Sequence, residues 1–222
     1  MKEPAHPAPF STAILCLVAN RGLLPRGLIL DPFAGVGRIH RLADAEHYTV
    51  GVEIEDVWEQ HHPRTMRGNA LQLPFRDGCF DGVFTSPVYG NRMSDSHTAR
   101  DGSLRRSYTH DLRRATGDAT RRLHPDNAGT MYAWQPAYWE FHERAWTEVR
   151  RVLKPGGRFL LNVSNCMRQK TEVPVVTHHA VLAGSLGFRF VGEHSVETPR
   201  MRYGENADER VPAEKLLVFE RG

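Results

Sequence analysis

The chain has 222 residues, of which 40% are hydrophobic and 25% are charged, and its formal net charge is +3. These values are close to the averages of globular proteins and exclude a collagen-like, fibrous or wholly disordered chain. The length predicts a single α/β domain over 1–222 that can bury a sizeable core. No apolar run approaches the roughly 20 residues that span a bilayer, and the N-terminus lacks a signal-peptide pattern, so we expect a cytoplasmic protein without membrane contact.

The first 90 residues alternate short apolar bursts with turn-forming residues, a pattern typical of strands joined by helices. The predicted elements, in chain order, are a helix near 14–18 with Ser11 or Thr12 as its cap, a strand at 28–30, a glycine turn at 35–37 that leads into a helix at 38–42, and strands at 48–53, 65–69 and 79–85. A side-chain oxygen at a helix start can accept a backbone N–H that the helix leaves unbonded, which favours serine or threonine there.

A polar stretch from 90 to about 135 follows, with few aliphatic residues and no regular period. A stretch of that length inside a compact domain is usually functional or partly disordered. The remaining predicted elements are a helix from 136 to a stop at 154–157, a strand at 158–163, a helix at 175–185, and strands at 188–196 and 216–219. This alternation predicts a doubly wound, mostly parallel sheet of seven strands.

The residues with unusual chemistry follow three of these strands. The strands end in DPFAGVG (31–37), GVEIE (51–55) and TSPVY (85–89). In a doubly wound sheet, ligands bind beyond the carboxyl ends of the strands, near the switch in strand order. We therefore expect these three segments to form one site.

The first two segments fit a nucleotide-like cofactor. Gly35 and Gly37 let a turn pass close beneath a ligand, and Asp31 offers a carboxylate at the strand tip. Glu53, at the end of the second strand, can accept two hydrogen bonds from a ribose diol. His40 stands where the dinucleotide fingerprint has its third glycine, which disfavours a nicotinamide cofactor.

Positive charge is concentrated in one part of the chain. Residues 91–125 contain eight arginines and four aspartates and therefore carry +4, whereas the rest of the chain carries −1. Local positive charge on a polar segment is expected for a polyanionic partner, because neutralising phosphates releases counterions. We interpret 91–135 as a basic substrate-recognition insert in which Tyr108, Tyr132 and Trp134 are available for base stacking. The alternative is a solvated surface whose arginines pair with the interleaved aspartates.

The cysteines and paired histidines do not predict a metal site. Cys16, Cys79 and Cys166 are far apart, with no CxxC pair and no Cys/His ligand spacing, which argues against a disulfide framework and a zinc ribbon. The histidine pairs 61–62 and 178–179 are adjacent, so in a helix the two side chains diverge by about 100° and cannot share one metal. We expect no metal.

The segment after the fourth strand carries a family resemblance. TSPVYGNR (85–92) resembles the (T/S)SPPY segment of amino-methylating nucleic-acid methyltransferases, and DPFAGVG matches the cofactor loop of the same class. HPAPFS (6–11) is similar to the N-terminal segment that covers the cofactor, and EVRRVLKPGGRFLLNV (148–163) is a common class I feature. The chain thus resembles class I S-adenosylmethionine-dependent methyltransferases, in the DNA amino-methylating branch, which implies a Rossmann-like fold.

The resemblance assigns roles to individual residues. It implies S-adenosyl-L-methionine as the cofactor and DNA, favoured over RNA, as the partner. The implied cofactor-binding residues are Phe10, Ser11, Thr12, Asp31, Pro32, Phe33, Ala34, Gly35, Gly37, Glu53, Ile54, Asn69 and Ala70, where Asn69 and Ala70 would read the amine edge of adenine. The implied catalytic residues are Ser86, Pro87 and Tyr89, and the implied substrate-binding residues are Asn91, Arg92, Arg105 and Arg106.

The implied reaction is methyl transfer to the exocyclic amine of a base. An aromatic amine is a poor nucleophile, so Ser86 and the Pro87 carbonyl would accept its two hydrogens, while Tyr89 would stack on a base taken out of the duplex. A serine in the first position favours cytosine N4 over adenine N6 in the family. Val88 stands where the family has its second proline, which loosens the turn. Carbon-5 methylation is disfavoured because that chemistry needs a cysteine nucleophile, which this segment lacks.

Three alternatives remain open at this point. An RNA amino-methyltransferase would use the same base and cofactor chemistry. A small-molecule methyltransferase would use the insert as a lid over a closed pocket. A degenerate domain would bind cofactor or nucleic acid without turnover.

Overall fold

The computed structural model describes residues 6, 10–44, 46–90, 107–197, 211 and 213–222. The helices are Thr12–Asn20 (α1), Asp56–Glu59 (α2), Tyr108–Thr116 (α3), Pro136–Val152 (α4) and Val175–Ser185 (α5), and 3-10 turns span Arg38–Leu42 and Ala128–Thr130. The strands are Gly27–Asp31 (β1), His47–Glu53 (β2), Thr65–Arg67 (β3), Phe80–Thr85 (β4), Leu153–Val163 (β5), Cys166–Arg168 (β6), Thr171–Val173 (β7), Phe188–Glu197 (β8) and Ala213–Arg221 (β9).

Seven strands form one sheet in the order β3-β2-β1-β4-β5-β9-β8. The first five of these run parallel, and β9 is antiparallel to both of its neighbours. The predicted mostly parallel, doubly wound sheet is therefore confirmed. The strand order reverses between β1 and β4, so a crevice opens beyond the carboxyl ends of these two strands.

Alternating side chains along the central strands pack against helices on the two faces of the sheet. Leu30, Val83 and Phe159 belong to the core that α4 and α5 cover, whereas Ile29 and Phe84 belong to the core that α1 covers. This period of two, combined with the helical spacing of the apolar residues of α4, produces a hydrophobic layer on each face of the sheet. The carboxyl edge combines apolar side chains such as Phe33 and Ile54 with the carboxylates of Asp31 and Glu53.

Several local features differ from the sequence prediction. The predicted helix at 38–42 is a 3-10 turn. The hairpin of β6 and β7 was not predicted, because its two turn residues, Gln169 and Lys170, adopt positive φ angles of 47° and 61° although neither is a glycine or an asparagine. The polar stretch contains α3, whose first turn is capped by Ser107. Among the described residues, no helix combines the length and apolar character needed to cross a membrane.

Close packing between β2, β3 and the turn after β1 predicts a strong effect of Gly51→Ala. A Cβ at Gly51 would lie 2.7 Å from Ala34 Cβ and 2.8 Å from Thr65 Oγ1, so the turn after β1 must move. We expect the free energy of unfolding to fall by about 1–3 kcal/mol, measured by urea denaturation. Gly184→Ala on α5 is the control, because no atom lies within 4 Å of its added Cβ, and its stability should stay equal or rise. Equal stability losses in both variants would contradict this packing argument.

Candidate functional site

A cleft of about 730 Å³, including its opening to solvent, lies at the carboxyl edge of the sheet. One wall comes from the turn after β1, the ends of β2 and β3, and the loop after β4, as the sequence predicts. The opposite wall consists of residues from several separate segments, namely His6, Phe10, Trp58, Tyr108, Asp126, Asn127, Ala128 and Phe141.

The structure brings most of the predicted cofactor-binding residues together around this cleft. Those that line it are Phe10, Pro32, Phe33, Ala34, Gly35, Glu53, Ile54, Asn69 and Ala70. The other four lie nearby. Ser11 caps α1 by accepting a hydrogen bond from Ile14 N at 3.2 Å, and Thr12 is exposed. Gly37 begins the 3-10 turn, and Asp31 is fully buried at the strand tip.

The glycine turn has a backbone geometry that requires Gly35. Its φ angle is +53°, a conformation that side chains disfavour, and an added Cβ would lie 2.9 Å from His6 Nε2 across the cleft. The Gly35 N–H donates to Glu53 Oε2 at 2.8 Å. The absence of a side chain at Gly35 therefore lets the His6 ring pack against the turn, and the Glu53 carboxylate fixes the turn.

Glu53 is a buried acid with two backbone donors. Its second oxygen, Oε1, accepts from Glu55 N at 2.9 Å. Burial raises the pKa of Glu53 to about 7, although these N–H donors favour the ionised form. Each carboxylate oxygen has two lone pairs, so Glu53 keeps acceptor capacity on the side that lines the cleft.

Asp31 ties β1 to β4 beneath the cleft. Its Oδ1 accepts from Thr85 Oγ1 at 2.7 Å and from Phe33 N at 3.0 Å. Within the described residues, Oδ2 is buried without a hydrogen-bond partner. Burial raises the pKa of Asp31 to about 7, because an ionised carboxylate is poorly solvated there.

The polar stretch supplies site residues that the sequence analysis did not single out. Glu55 Oε1 accepts from His124 N and from Asn127 Nδ2, each at 2.8 Å. Asn69 Nδ2 donates to Asp126 Oδ2 at 2.8 Å. These partners are separated by 57 to 72 positions in the chain, so no local pattern could have found them. The only local signal was the acidic end of the GVEIE segment.

The three predicted catalytic residues differ in their relation to the cleft. Ser86 lines it, and its Oγ is 3.1 Å from the Tyr89 hydroxyl. Tyr89 does not line the cleft, whereas Val88 does. Pro87 is buried between them.

Asn162 on β5 holds the two hydroxyls of this loop together. Its Nδ2 lies 2.9 Å from the Tyr89 hydroxyl, 3.3 Å from Ser86 Oγ and 2.9 Å from Glu214 Oε2. Because the amide is almost fully buried, it provides a fixed donor for the cluster. No sequence pattern singled out Asn162 or Glu214, since both lie inside predicted strand regions or at their margins.

The predicted substrate-binding residues, Asn91, Arg92, Arg105 and Arg106, lie outside the described residues. Of the insert's other arginines, Arg121 pairs with Asp56 at 2.6 Å, and Arg113 Nε donates to the Arg121 carbonyl. The part of the chain that the structure describes contains no group of three or more His, Cys, Asp or Glu side chains arranged to hold a metal ion.

Comparison with solved structures identifies the fold. A SAM-dependent methyltransferase from Methanosarcina mazei is 13% identical, with a TM-score of 0.56 over 96% of this chain and 99% of that one. A TehB-like SAM-dependent methyltransferase from Corynebacterium glutamicum is 14% identical, with a TM-score of 0.52 over 96% and 89%. The chain has the class I methyltransferase fold. No family model matches the sequence, and no curated protein matches it.

The class I methyltransferase fold does not by itself define the reaction. The [4+2]-cyclase SpnF is also similar, at 16% identity and a TM-score of 0.55 over 96% of this chain and 84% of that one. At these identities the likeness concerns the fold, so the chemistry must be argued from the residues of the cleft.

The raised pKa of Asp31 predicts a pH-dependent effect of Asp31→Asn. Between pH 4 and 7 the folded protein keeps a proton that the unfolded chain releases, so the Asp31 contribution to stability falls as the pH rises through this window. The substituted asparagine keeps an oxygen for Phe33 N and Thr85, and it does not titrate. We therefore expect the stability of the variant, relative to the wild type, to increase from pH 5 to pH 8 in urea denaturation.

Asp118→Asn is the matched control for this measurement. Asp118 is exposed, and hydrogen bonds from Thr120 lower its pKa below the ordinary value, so it titrates below pH 5. Its stability difference from the wild type should be the same at both pH values. If the stability difference between Asp31→Asn and the wild type were also equal at pH 5 and pH 8, it would contradict the claim that burial raises the pKa of Asp31.

Proposed function

We propose that the protein transfers a methyl group from S-adenosylmethionine to the exocyclic amine of a base in DNA, with cytosine N4 favoured over adenine N6. One observation carries this proposal. Ser86 borders the same cleft as the Gly35 turn and Glu53, and its hydroxyl lies 3.1 Å from that of Tyr89. Residues suited to binding the cofactor and a hydroxyl suited to accepting an amine hydrogen therefore line the same cleft.

The residues of the cleft fit an adenosyl cofactor. Glu53 offers carboxylate lone pairs to the ribose hydroxyls beside the turn whose Gly35 N–H it accepts. Ile54 and Ala70 give apolar contacts for a flat base, and the bonded pair of Asn69 and Asp126 offers polar groups for its amine edge. When bound, S-adenosylmethionine supplies a methyl group activated by a sulfonium centre.

The acceptor side requires positioning rather than a strong base. The Ser86 hydroxyl and the Pro87 carbonyl accept the two amine hydrogens, which favours a tetrahedral nitrogen with an available lone pair. Methyl transfer from bound S-adenosylmethionine would break its carbon–sulfur bond as the carbon–nitrogen bond formed, and the nitrogen would then release one proton to solvent. Asn162 donates to the Ser86 and Tyr89 hydroxyls and so keeps them at a fixed position relative to each other during this step. A duplex base must be flipped out to reach this point.

A small-molecule methyltransferase is the second candidate, and a specific observation favours it. Tyr108, Asn127 and Ala128 of the insert line the cleft, as residues of a lid would. The SPVY segment and the excess of arginines in 91–125 favour a nucleic acid. RNA offers the same acceptor amines as DNA, so a methyl-transfer assay with each polymer as the substrate is needed to distinguish them.

The direct test is a transfer assay with S-adenosylmethionine labelled in its methyl group. The protein is incubated separately with mixed duplex DNA, with RNA and with a panel of small aromatic amines, and the polymers are digested to nucleosides. We expect label in N4-methylcytosine or N6-methyladenine from DNA. Label in RNA nucleosides alone, in small amines alone or in no acceptor would overturn the proposed substrate.

Substitutions in the SPVY segment should separate turnover from cofactor binding. We expect Ser86→Ala and Tyr89→Ala to lower kcat by about a hundredfold or more. The first removes an acceptor of the amine hydrogens, and the second removes the hydroxyl that lies 3.1 Å from Ser86 Oγ and orients it. The dissociation constant for S-adenosylmethionine should change less than about threefold, because neither hydroxyl belongs to the Glu53 cradle. The assay above gives kcat, and calorimetry gives the affinity.

Ser185→Ala and Tyr48→Ala are the matched controls, since both residues are exposed and distant in sequence from the loop. Both should keep wild-type turnover. An equal loss of cofactor binding and turnover in Ser86→Ala and Tyr89→Ala would show misfolding or a wrong assignment.

A further inference from the structure

The loop that carries Ser86 and Tyr89 lacks the second proline of the motif it resembles. Proline fixes its own φ angle near −65° and so removes one degree of freedom from a turn. Val88 has no such restriction. A loop that must hold an amine acceptor needs another constraint at this position, because a displacement of about 1 Å at a reacting centre can cost two orders of magnitude in rate.

The structure contains a hydrogen bond that supplies this constraint. The Tyr138 hydroxyl, from the first turns of α4, donates to the Val88 carbonyl at 2.7 Å. The Tyr138 side chain is completely buried, and so are those of His179 on α5 and Trp146 on α4. The bond therefore reaches the loop from the rigid interior of the protein.

The hydroxyl of Tyr138 is itself oriented by a buried chain of donors. Trp146 Nε1 donates to His179 Nδ1 at 3.2 Å, which makes Nδ1 an acceptor and assigns the ring proton to Nε2. That Nε2 lies 3.1 Å from the Tyr138 oxygen and donates to it. The only hydrogen of the Tyr138 hydroxyl then points to Val88. The bond from Trp146 requires neutral His179, because an imidazolium carries hydrogen on both ring nitrogens. Burial keeps the pKa of this imidazole well below its ordinary value.

A second contact holds the other side of Tyr89. The Ala133 N–H donates to the Gly90 carbonyl at 3.0 Å. Gly90 has a φ angle of +63°, and a Cβ there would lie 2.4 Å from Ala133 N. Trp139, the residue after Tyr138, donates from Nε1 to the Ala133 carbonyl at 2.9 Å. The start of α4 thus supports the loop on both sides of the catalytic tyrosine.

We infer that Tyr138, oriented by His179 and Trp146, is a positioning residue that fixes the Pro87-Val88-Tyr89 turn in place of a second proline. The role in turnover rests on the proposed function. The anchoring of the loop does not, and it can be measured separately. Tyr138 lies in the core beside the loop, and its hydroxyl reaches the acceptor site through the Val88 carbonyl.

Tyr138→Phe tests the inference, because it removes one hydroxyl and keeps the ring. We expect kcat to fall by about tenfold, the equivalent of one lost hydrogen bond of about 1.4 kcal/mol, with S-adenosylmethionine affinity unchanged within about twofold. Thr147→Val on the same helix is the control. Its hydroxyl is exposed and donates to the Glu143 carbonyl of its own helix, away from the loop, so its kcat should equal that of the wild type.

Two further variants distinguish positioning from a general loss of stability. Val88→Pro in the Tyr138→Phe background should recover most of the lost kcat, because proline restores the constraint by another route, without restoring the lost hydrogen bond. His179→Leu should lower kcat in the wild-type background and have no further effect in the Tyr138→Phe background, since His179 acts through that hydroxyl. No recovery with proline, or additive losses in the double variant, would overturn the inference.

Hydrogen exchange measured by mass spectrometry separates this inference from the proposed function. In Tyr138→Phe, the amides of residues 86–90 should exchange faster than in the wild type, while those of β1 and β5 should not change. This result, with no methyl transfer by the wild-type protein, would support the anchor and reject the proposed function. Methyl transfer by the wild type, with unchanged exchange and unchanged kcat in Tyr138→Phe, would reject the anchor alone.

Discussion

The carboxylates buried at the carboxyl edge of the sheet are the constraint on which the site depends. Asp31 joins β1 to β4, Glu53 joins β2 to the turn at Gly35, and Glu55 joins the end of β2 to Asn127. Burying a carboxylate is unfavourable unless hydrogen bonds compensate for the lost water. The donors therefore have little freedom to move away, and four separate segments are held around one cleft.

The loop after β4 depends on a different set of contacts. Asn162 on β5 connects the hydroxyls of Ser86 and Tyr89, and Tyr138 on α4 fixes the carbonyl of Val88. The proposed cofactor wall and the proposed acceptor loop are thus supported by separate elements of the same core. This separation explains why turnover and cofactor binding should respond differently to substitution, and why Val88 is compatible with an ordered turn.

The sequence predicted the parts of the fold that follow from local periodicity. The strands of the sheet, the long α4 helix and the α5 helix were found because their apolar residues recur at regular spacing, and the meeting of strand ends at one edge follows from parallel pairing. The contacts of Glu55, Asp126 and Asn127 were not predictable, because they join residues far apart in the chain. The contacts of Tyr138 and His179 were not predictable either. In the sequence both residues have the spacing of helix core residues, and only the structure shows that Tyr138 contacts the loop after β4.

Cofactor binding in the cleft can be measured by titrating the protein with S-adenosylmethionine in a calorimeter at pH 8. We expect saturable one-site binding that Glu53→Gln weakens at least about tenfold, because the amide presents a donor to a backbone N–H and loses charge-assisted bonds to the ribose. Glu59→Gln, a partly exposed control on α2, should bind as the wild type does. Absence of binding to the wild-type protein, or equal affinity in Glu53→Gln, would contradict the assignment of this cleft to the cofactor.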